Sequence, residues 1–220
     1  MSSEIITVKV GPHAKEYRVH QTLLIHYSEY FRGAFRSGME ESRTRIFNLK
    51  DIELHTFDAF VDWLYVQKLP HHHDWGHRYP GHEQEWEDVR LVSLYAFAER
   101  FVVPGLKISV MEVLVGCFNE YELPNSTAII IAFEYLPVGS PVHRLLVDVY
   151  CRSGHAALEA DGTPFEELPN SFVRRAMETY ATMVKRDSSL LKAEDYQEET
   201  ESVGKAEQQV PPQKKQKTNA

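Results

Sequence analysis

Between Lys15 and Phe35 the apolar residues change period once, from two to between three and four, and this change limits the possible folds more than any other stretch. Tyr17 and Val19 alternate with Glu16 and Arg18, the pattern of a strand buried on one face. From Leu23 onward the apolar positions Leu23, Tyr27, Tyr30 and Ala34, with Leu24, Phe31 and Phe35 beside them, fall on one face of a helix. A strand that feeds directly into an amphipathic helix needs a sheet on one side and a helical partner on the other. The chain supplies the sheet just upstream. Ile6, Val8 and Val10 alternate with Thr7 and Lys9, and Gly11-Pro12-His13-Ala14 is a turn, so residues 5–10 and 15–20 are predicted to form a hairpin.

The helix is expected to run from about Thr22 to Phe35 and to end at Ser37-Gly38, where glycine suits a left-handed cap. A third strand is predicted at Ile46–Leu49. The spacing of Phe57, Phe60, Val61 and Leu64 predicts a helix over Leu54–Tyr65 with an aromatic stripe turned to the core. Residues 70–87, with His71, His72, His73, His77 and His82 among Pro and Gly, have no apolar period and are expected to be an exposed inserted loop. Leu91, Leu94, Tyr95 and Ala98 predict the next helix. Pro104 stops it and opens another, whose buried stripe is Ile108, Met111, Val115 and Phe118.

Beyond residue 118 the signals are helical. The stretch Pro124-Asn125-Ser126-Thr127 is expected to cap a helix that runs to Leu136. Ser140-Pro141 opens one that carries Val142, Leu145, Leu146 and Val149, and residues 155–168 form a polar loop. Pro169 opens a last helix with the stripe Phe172, Ala176, Tyr180 and Met183-Val184. After about Asp187 the chain is polar and aperiodic and is expected to be disordered.

The order His20, Leu23-Leu24, Ser28-x-Tyr30-Phe31, then Met39-Glu40-Glu41, Ile46–Leu49, the Phe57–Tyr65 helix and the hairpin from Leu91 to Lys107 resembles the BTB/POZ domain. The resemblance covers roughly the first half of the chain and implies an α+β fold, a small three-stranded sheet capped by a cluster of helices. With the helical pattern downstream, the expected organisation is a BTB/POZ domain over residues 1–118, a helical extension over 119–186 and a disordered tail over 187–220. The family often has an Asp ahead of its first strand, where Glu4 is the nearest residue here.

Composition narrows the function. A 220-residue chain with 43% hydrophobic residues can bury one good-sized core. A net charge of -8 argues against nucleic-acid binding by the folded part, because phosphate contacts need clustered Lys and Arg. No stretch approaches the roughly 20 apolar residues that cross a bilayer, and the start lacks a signal-like apolar run. Cys117 and Cys151, without paired spacing, are expected to be buried free thiols. Together these features predict an intracellular protein, in the nucleus, the cytoplasm or both, whose partners are proteins.

No Gly-rich phosphate loop, nucleophile elbow or His-Glu-x-x-His is present, so an enzyme is not expected and neither is a cofactor. The His-rich loop is dense in imidazoles, but structural zinc needs four ligands held in place, and a Gly- and Pro-punctuated loop without cysteine does not hold them; no metal is expected. His20 sits at the strand-to-helix junction and is expected to be structural. The resemblance implies association with itself or with other BTB proteins through the hairpin and first helix, and hence a homo-oligomer. It also implies a second role, because Met39-Glu40-Glu41 resembles the hydrophobic-x-Glu motif by which ligase adaptors of the family bind a cullin. Such adaptors usually carry kelch repeats or a MATH domain, which these 220 residues do not contain. Lys214, Lys215 and Lys217, after Pro211-Pro212, match the short basic pattern read by nuclear import receptors.

Overall fold

A three-stranded sheet has β1 (Ile5–Val10) at its centre, β2 (Lys15–His20) antiparallel on one side and β3 (Ile46–Leu49) parallel on the other. The structure is a computed structural model that describes residues 4–38, 40–71, 74–79, 86–120, 123–153, 167–183 and 192–196. The β1–β2 register runs from Ile5 opposite His20 to Val10 opposite Lys15. Gly11 turns the chain at φ 73°, a left-handed conformation that glycine adopts without a Cβ clash. The two-residue period buries Ile6, Val8, Val10, Val19, Phe47 and Leu49 on the covered face.

The expected single helix over Thr22–Phe35 is two helices, α1 (Gln21–Tyr27) and α2 (Glu29–Arg36). Ser28 between them is extended, at φ -122° and ψ 120°. Its Oγ accepts the Phe31 N–H at 3.2 Å and donates to the Phe101 carbonyl at 2.6 Å, while the Glu29 N–H donates to the Val102 carbonyl at 3.1 Å. The backbone leaves helical geometry because the side chain and the next amide bind a neighbouring turn instead. Arg32 closes the exposed end of α1 by donating from Nε and Nη2 to the Ile25 and His26 carbonyls, each at 3.0 Å. The apolar period survives the break, since Leu24 and Phe31 both reach the core, so periodicity alone does not reveal it. After Gly38, at φ 69° as a cap requires, comes the short α3 (Glu40–Thr44).

Among the described residues of the first half there follow α4 (Leu54–Val66), α5 (Trp75–Arg78), α6 (Glu87–Arg100) and α7 (Pro104–Glu120). An aromatic ladder joins them to the sheet. Tyr17 meets Phe57 at 4.8 Å between ring centroids, Phe60 meets Phe97 at 4.8 Å, Phe97 meets Phe101 at 4.4 Å, and Phe31 meets Phe47 at 5.1 Å. Gly105 lets α7 approach α4 closely, because a Cβ there would lie 3.1 Å from the Trp63 ring, whose Nε1 donates to Ser109 at 3.0 Å.

Three expectations about exposure are corrected. The 70–87 loop is not wholly exposed: Trp75 is 1% exposed, donates from Nε1 to the Pro70 carbonyl at 3.2 Å and lies 5.3 Å from the buried Tyr79 ring. The Tyr79 hydroxyl and Arg78 both bind Asp62 of α4, which fastens the insertion to that helix. A single four-residue turn is too short to show a helical period, so this fold-back left no pattern to read. Ile108, placed on the buried stripe of α7, is half exposed, and Tyr180 of the last helix is exposed; each sits at the margin of its helix's apolar face.

The second half is α8 (Ser126–Tyr135), α9 (Pro141–Ser153) and α10 (Asn170–Met183), followed by a single 3-10 turn at Ala193–Tyr196. α8 packs on α6, α9 on α10 and α8, and the final turn on α7 and α9. Within the expected capping stretch 124–127 it is Asn125 that caps α8, its side chain accepting the Thr127 N–H at 2.9 Å. The Asn125 backbone N–H donates to the buried Asp88 carboxylate of α6 at 2.6 Å, which ties the start of the extension to the first half. His143 is buried with its ring stacked 4.1 Å from Phe133 and its Nε2–H donating to the Ala132 carbonyl at 2.9 Å; burial lowers its pKa. Both cysteines are buried and free; burial pushes the Cys117 thiol up to about 12, and Cys151 donates to the Ala176 carbonyl. Of the expected disordered tail, residues 192–196 are described, and Tyr196 among them is buried, a departure from the sequence reading.

Candidate functional site

The corner between α1 and α2 is where the first half presents apolar surface. Because Ser28 and Glu29 are bonded to the α6–α7 turn, Tyr30 stands beside that turn, with its ring 4.9 Å from Phe101. Tyr30 is 45% exposed and Val102 is 44% exposed. Val102 adopts φ 49°, a backbone state unusual for a β-branched residue, and its carbonyl is the one that receives Glu29. Leu23 and Tyr27 of α1 are half-buried, and Tyr27 packs against Trp63 at 5.5 Å.

A second exposed group lies at the open end of the hairpin. Ile5, opposite His20 in the register, is exposed, and so are Tyr65 and Val66 at the end of α4. The Tyr65 hydroxyl accepts the His20 backbone N–H at 3.3 Å and lies within hydrogen-bond distance of His20 Nδ1, at 2.7 Å. This arrangement fixes the strand-to-helix junction on α4. On the other side of the junction, Arg45 donates to Glu4 and, at 3.2 Å, to Gln21, while the Gln21 N–H donates to the Glu4 carbonyl at 2.8 Å. The hydrogen bond from Arg45 holds the Glu4 carboxyl below its usual pKa. The residue in the place of the family's Asp is therefore engaged with the loop that leads into β3.

The other residues singled out from sequence are dispersed. Glu40 is exposed and Glu41 half-buried on α3, and the Glu40 and Glu41 carbonyls accept from Thr44 and Arg45. Met39 lies outside the described residues, as do Lys214, Lys215 and Lys217. His71 is exposed; His72, His73 and His82 lie outside the described residues. Among the described residues no three His, Cys, Asp or Glu side chains are grouped to hold a metal, and no helix is long and apolar enough to cross a membrane. Sequence reasoning missed the role of Ser28. A serine flanked by Tyr27 and Glu29, inside an otherwise apolar helical run, was the signal available for a break and a cap.

What this half of the molecule offers is a sheet-and-helix scaffold with aromatic and aliphatic side chains held at its edge, the anatomy of a protein-interaction module. A family model for the BTB/POZ domain matches residues 5–116, about half of the chain, and the protein belongs to that family, whose domains bind other proteins. A 55-residue stretch is 36% identical to Kelch-like protein 40b of Danio rerio; it covers 25% of this chain and 9% of that protein. The chain thus matches less than a tenth of the relative's length.

Proposed function

We propose that the chain is a non-enzymatic scaffold whose BTB/POZ domain, residues 1–118, associates with a second copy or with another BTB protein, while residues 119–186 form a helical extension. The observation that carries this reading is the pair Tyr30 and Val102, close to half exposed beside one another on backbone fixed by three hydrogen bonds. A rigid aromatic anchor beside an aliphatic neighbour loses little entropy when a partner covers it, and a self-complementary patch gives a two-fold dimer. Light scattering should find a dimer at tens of micromolar. Tyr30→Glu should convert it to monomer, with circular dichroism and the unfolding midpoint nearly unchanged because the side chain is half in water. A wild-type protein that stays monomeric at the highest attainable concentration would remove the reading.

A second reading has an observation of its own. Glu40 is exposed at the start of α3, just past the Gly38 turn, and Glu41, the acid of the hydrophobic-x-Glu pattern, is half-buried beside it, so part of Met39-Glu40-Glu41 is within reach of a partner. In this reading the segment binds a cullin and the protein is a ubiquitin-ligase adaptor. Pull-down by a cullin N-terminal region should be lost on combining Met39→Ala with Glu41→Ala; capture that survives both changes excludes it. In either reading Lys214, Lys215 and Lys217 direct the protein to the nucleus as well as the cytoplasm. A fluorescent fusion lacking residues 211–220 with an unaltered distribution would contradict that assignment.

A further inference from the structure

The turn Ala193–Tyr196 is separated from α10 by residues 184–192, yet it is seated against α7 and α9. Its anchor is Tyr196, 4% exposed. The Tyr196 hydroxyl donates to Asp148 Oδ2 at 3.2 Å, and the Arg144 guanidinium lies over the ring, 5.2 Å from its centroid. Arg144 and Asp148 are four residues apart on α9 and so share one face, one addressing the ring and the other the hydroxyl. Lys192 and Glu194 beside the anchor are exposed. This is how a short linear segment is recognised: one aromatic side chain in a slot, read at its face and at its polar tip, with acidic neighbours Glu194, Asp195, Glu198 and Glu199 in the sequence around it.

We propose that the slot between α7 and α9 is a binding site for acidic, tyrosine-bearing peptide segments, and that Lys192–Tyr196 is its tethered occupant. A partner protein's segment of the same chemistry enters when the strap is displaced. The tether explains why one anchor suffices. A segment linked through a few residues experiences an effective concentration of about a millimolar, so a contact that is weak between separate molecules is filled within one chain. The slot also discriminates. Asp148 favours tyrosine over phenylalanine by accepting its hydroxyl, and it repels a phosphotyrosine, whose dianion would face a carboxylate. The site lies between α7 of the first half and α9 of the extension.

The test uses the full chain and a fluorescein-labelled peptide of residues 190–199, followed by fluorescence polarisation. The Tyr196→Ala protein should bind the peptide saturably, and wild type about tenfold or more weakly because its own strap competes. Adding Arg144→Ala to Tyr196→Ala should weaken binding several-fold, and a peptide carrying phosphotyrosine should not bind. Equal affinity for wild type and Tyr196→Ala, or no saturable binding by a folded Tyr196→Ala protein, overturns the proposal. So does loss of folding on Tyr196→Ala, since a displaceable ligand cannot be what holds the helices together. Self-association that Tyr196→Ala abolishes would mean the slot is filled between copies, and would overturn occupancy within one chain. A second measurement avoids the anchor itself. In wild type carrying Arg144→Ala and Asp148→Asn, hydrogen exchange at residues 192–196 should accelerate about tenfold with α7 and α9 still protected; unchanged exchange there counts against the slot.

Discussion

Asp88 gives the most discriminating thermodynamic test of how the two halves are joined. Its carboxylate, 5% exposed in the first turn of α6, accepts the Val89 N–H at 2.9 Å and the Asn125 N–H at 2.6 Å. Burial raises its pKa from 3.8 to about 6, against the lowering effect of those amides, and Glu87 adds to the rise. The nearby Cys117 thiol is neutral, so it does not offset the charge. A folded-state pKa above the unfolded value means the folded protein binds the extra proton. The stability from this group is fully present below the unfolded pKa and is lost as pH rises through 6; the whole difference is worth about 3 kcal/mol. Between pH 7.5 and pH 5 wild type should gain roughly 1 to 2 kcal/mol from Asp88 alone. Asp88→Asn removes the titration and leaves one acceptor for two amide donors, a pH-independent cost of about 1–3 kcal/mol. Urea unfolding of both proteins at pH 5, 6 and 7.5, followed by tryptophan fluorescence, isolates the effect, because other groups cancel in the difference. Wild type should pull ahead of Asp88→Asn as pH falls. A difference that stays constant across the range would show that the amide donors outweigh burial and that Asp88 remains charged throughout.

Two substitutions probe the features that periodicity did not reveal. Ser28→Ala removes the cap of α2 and leaves the Phe31 amide and Phe101 carbonyl without that partner, so unfolding in urea should show a loss of about 1–2 kcal/mol; a loss within error would mean the break is not held by the side chain. Trp75→Ala should cost about 3–5 kcal/mol, as expected for emptying a buried indole site, with a matching drop in thermal midpoint, whereas a truly exposed loop would lose almost nothing.

Much of the fold was legible because it rests on burial. The alternation of Ile6, Val8 and Val10, the stripe Phe57, Phe60 and Leu64, the capping stretch 124–127 and the helix start at Pro141 were each read from the sequence and are in the structure. What escaped was decided by contacts distant in sequence. Ser28 bends the chain for the sake of a carbonyl at Phe101, and Trp75 is buried through a turn too short to carry a period. The same holds for Tyr196, whose acidic surroundings describe a solvated tail until Asp148 and Arg144 of α9 are placed beside it. For the proposed interaction surface, the resemblance to a family pointed to the hairpin and first helix. It could not single out Val102, whose exposure follows from the left-handed backbone of the α6–α7 turn.

The division near residue 118 marks a change in sequence character more than a gap in packing. The Asn125 amide is bound to Asp88, Arg152 of α9 donates to the Phe118 carbonyl at 3.2 Å, and α8 covers α6. A chain ending at 118 would leave one oxygen of the buried Asp88 carboxylate without its amide and open the apolar face of α6 to water, so the extension acts as part of the first half's core. The α6–α7 hairpin then has a different task at each end. Its turn, at Val102, supports Tyr30. Its open end, where α6 begins and α7 finishes, receives Asn125 and Arg152. α6 alone, at 14 residues, sets these ends about 21 Å apart. Tyr30 meets this hairpin at its turn, through the Phe101 ring, while the Tyr196 strap lies against α7 and the added helix α9.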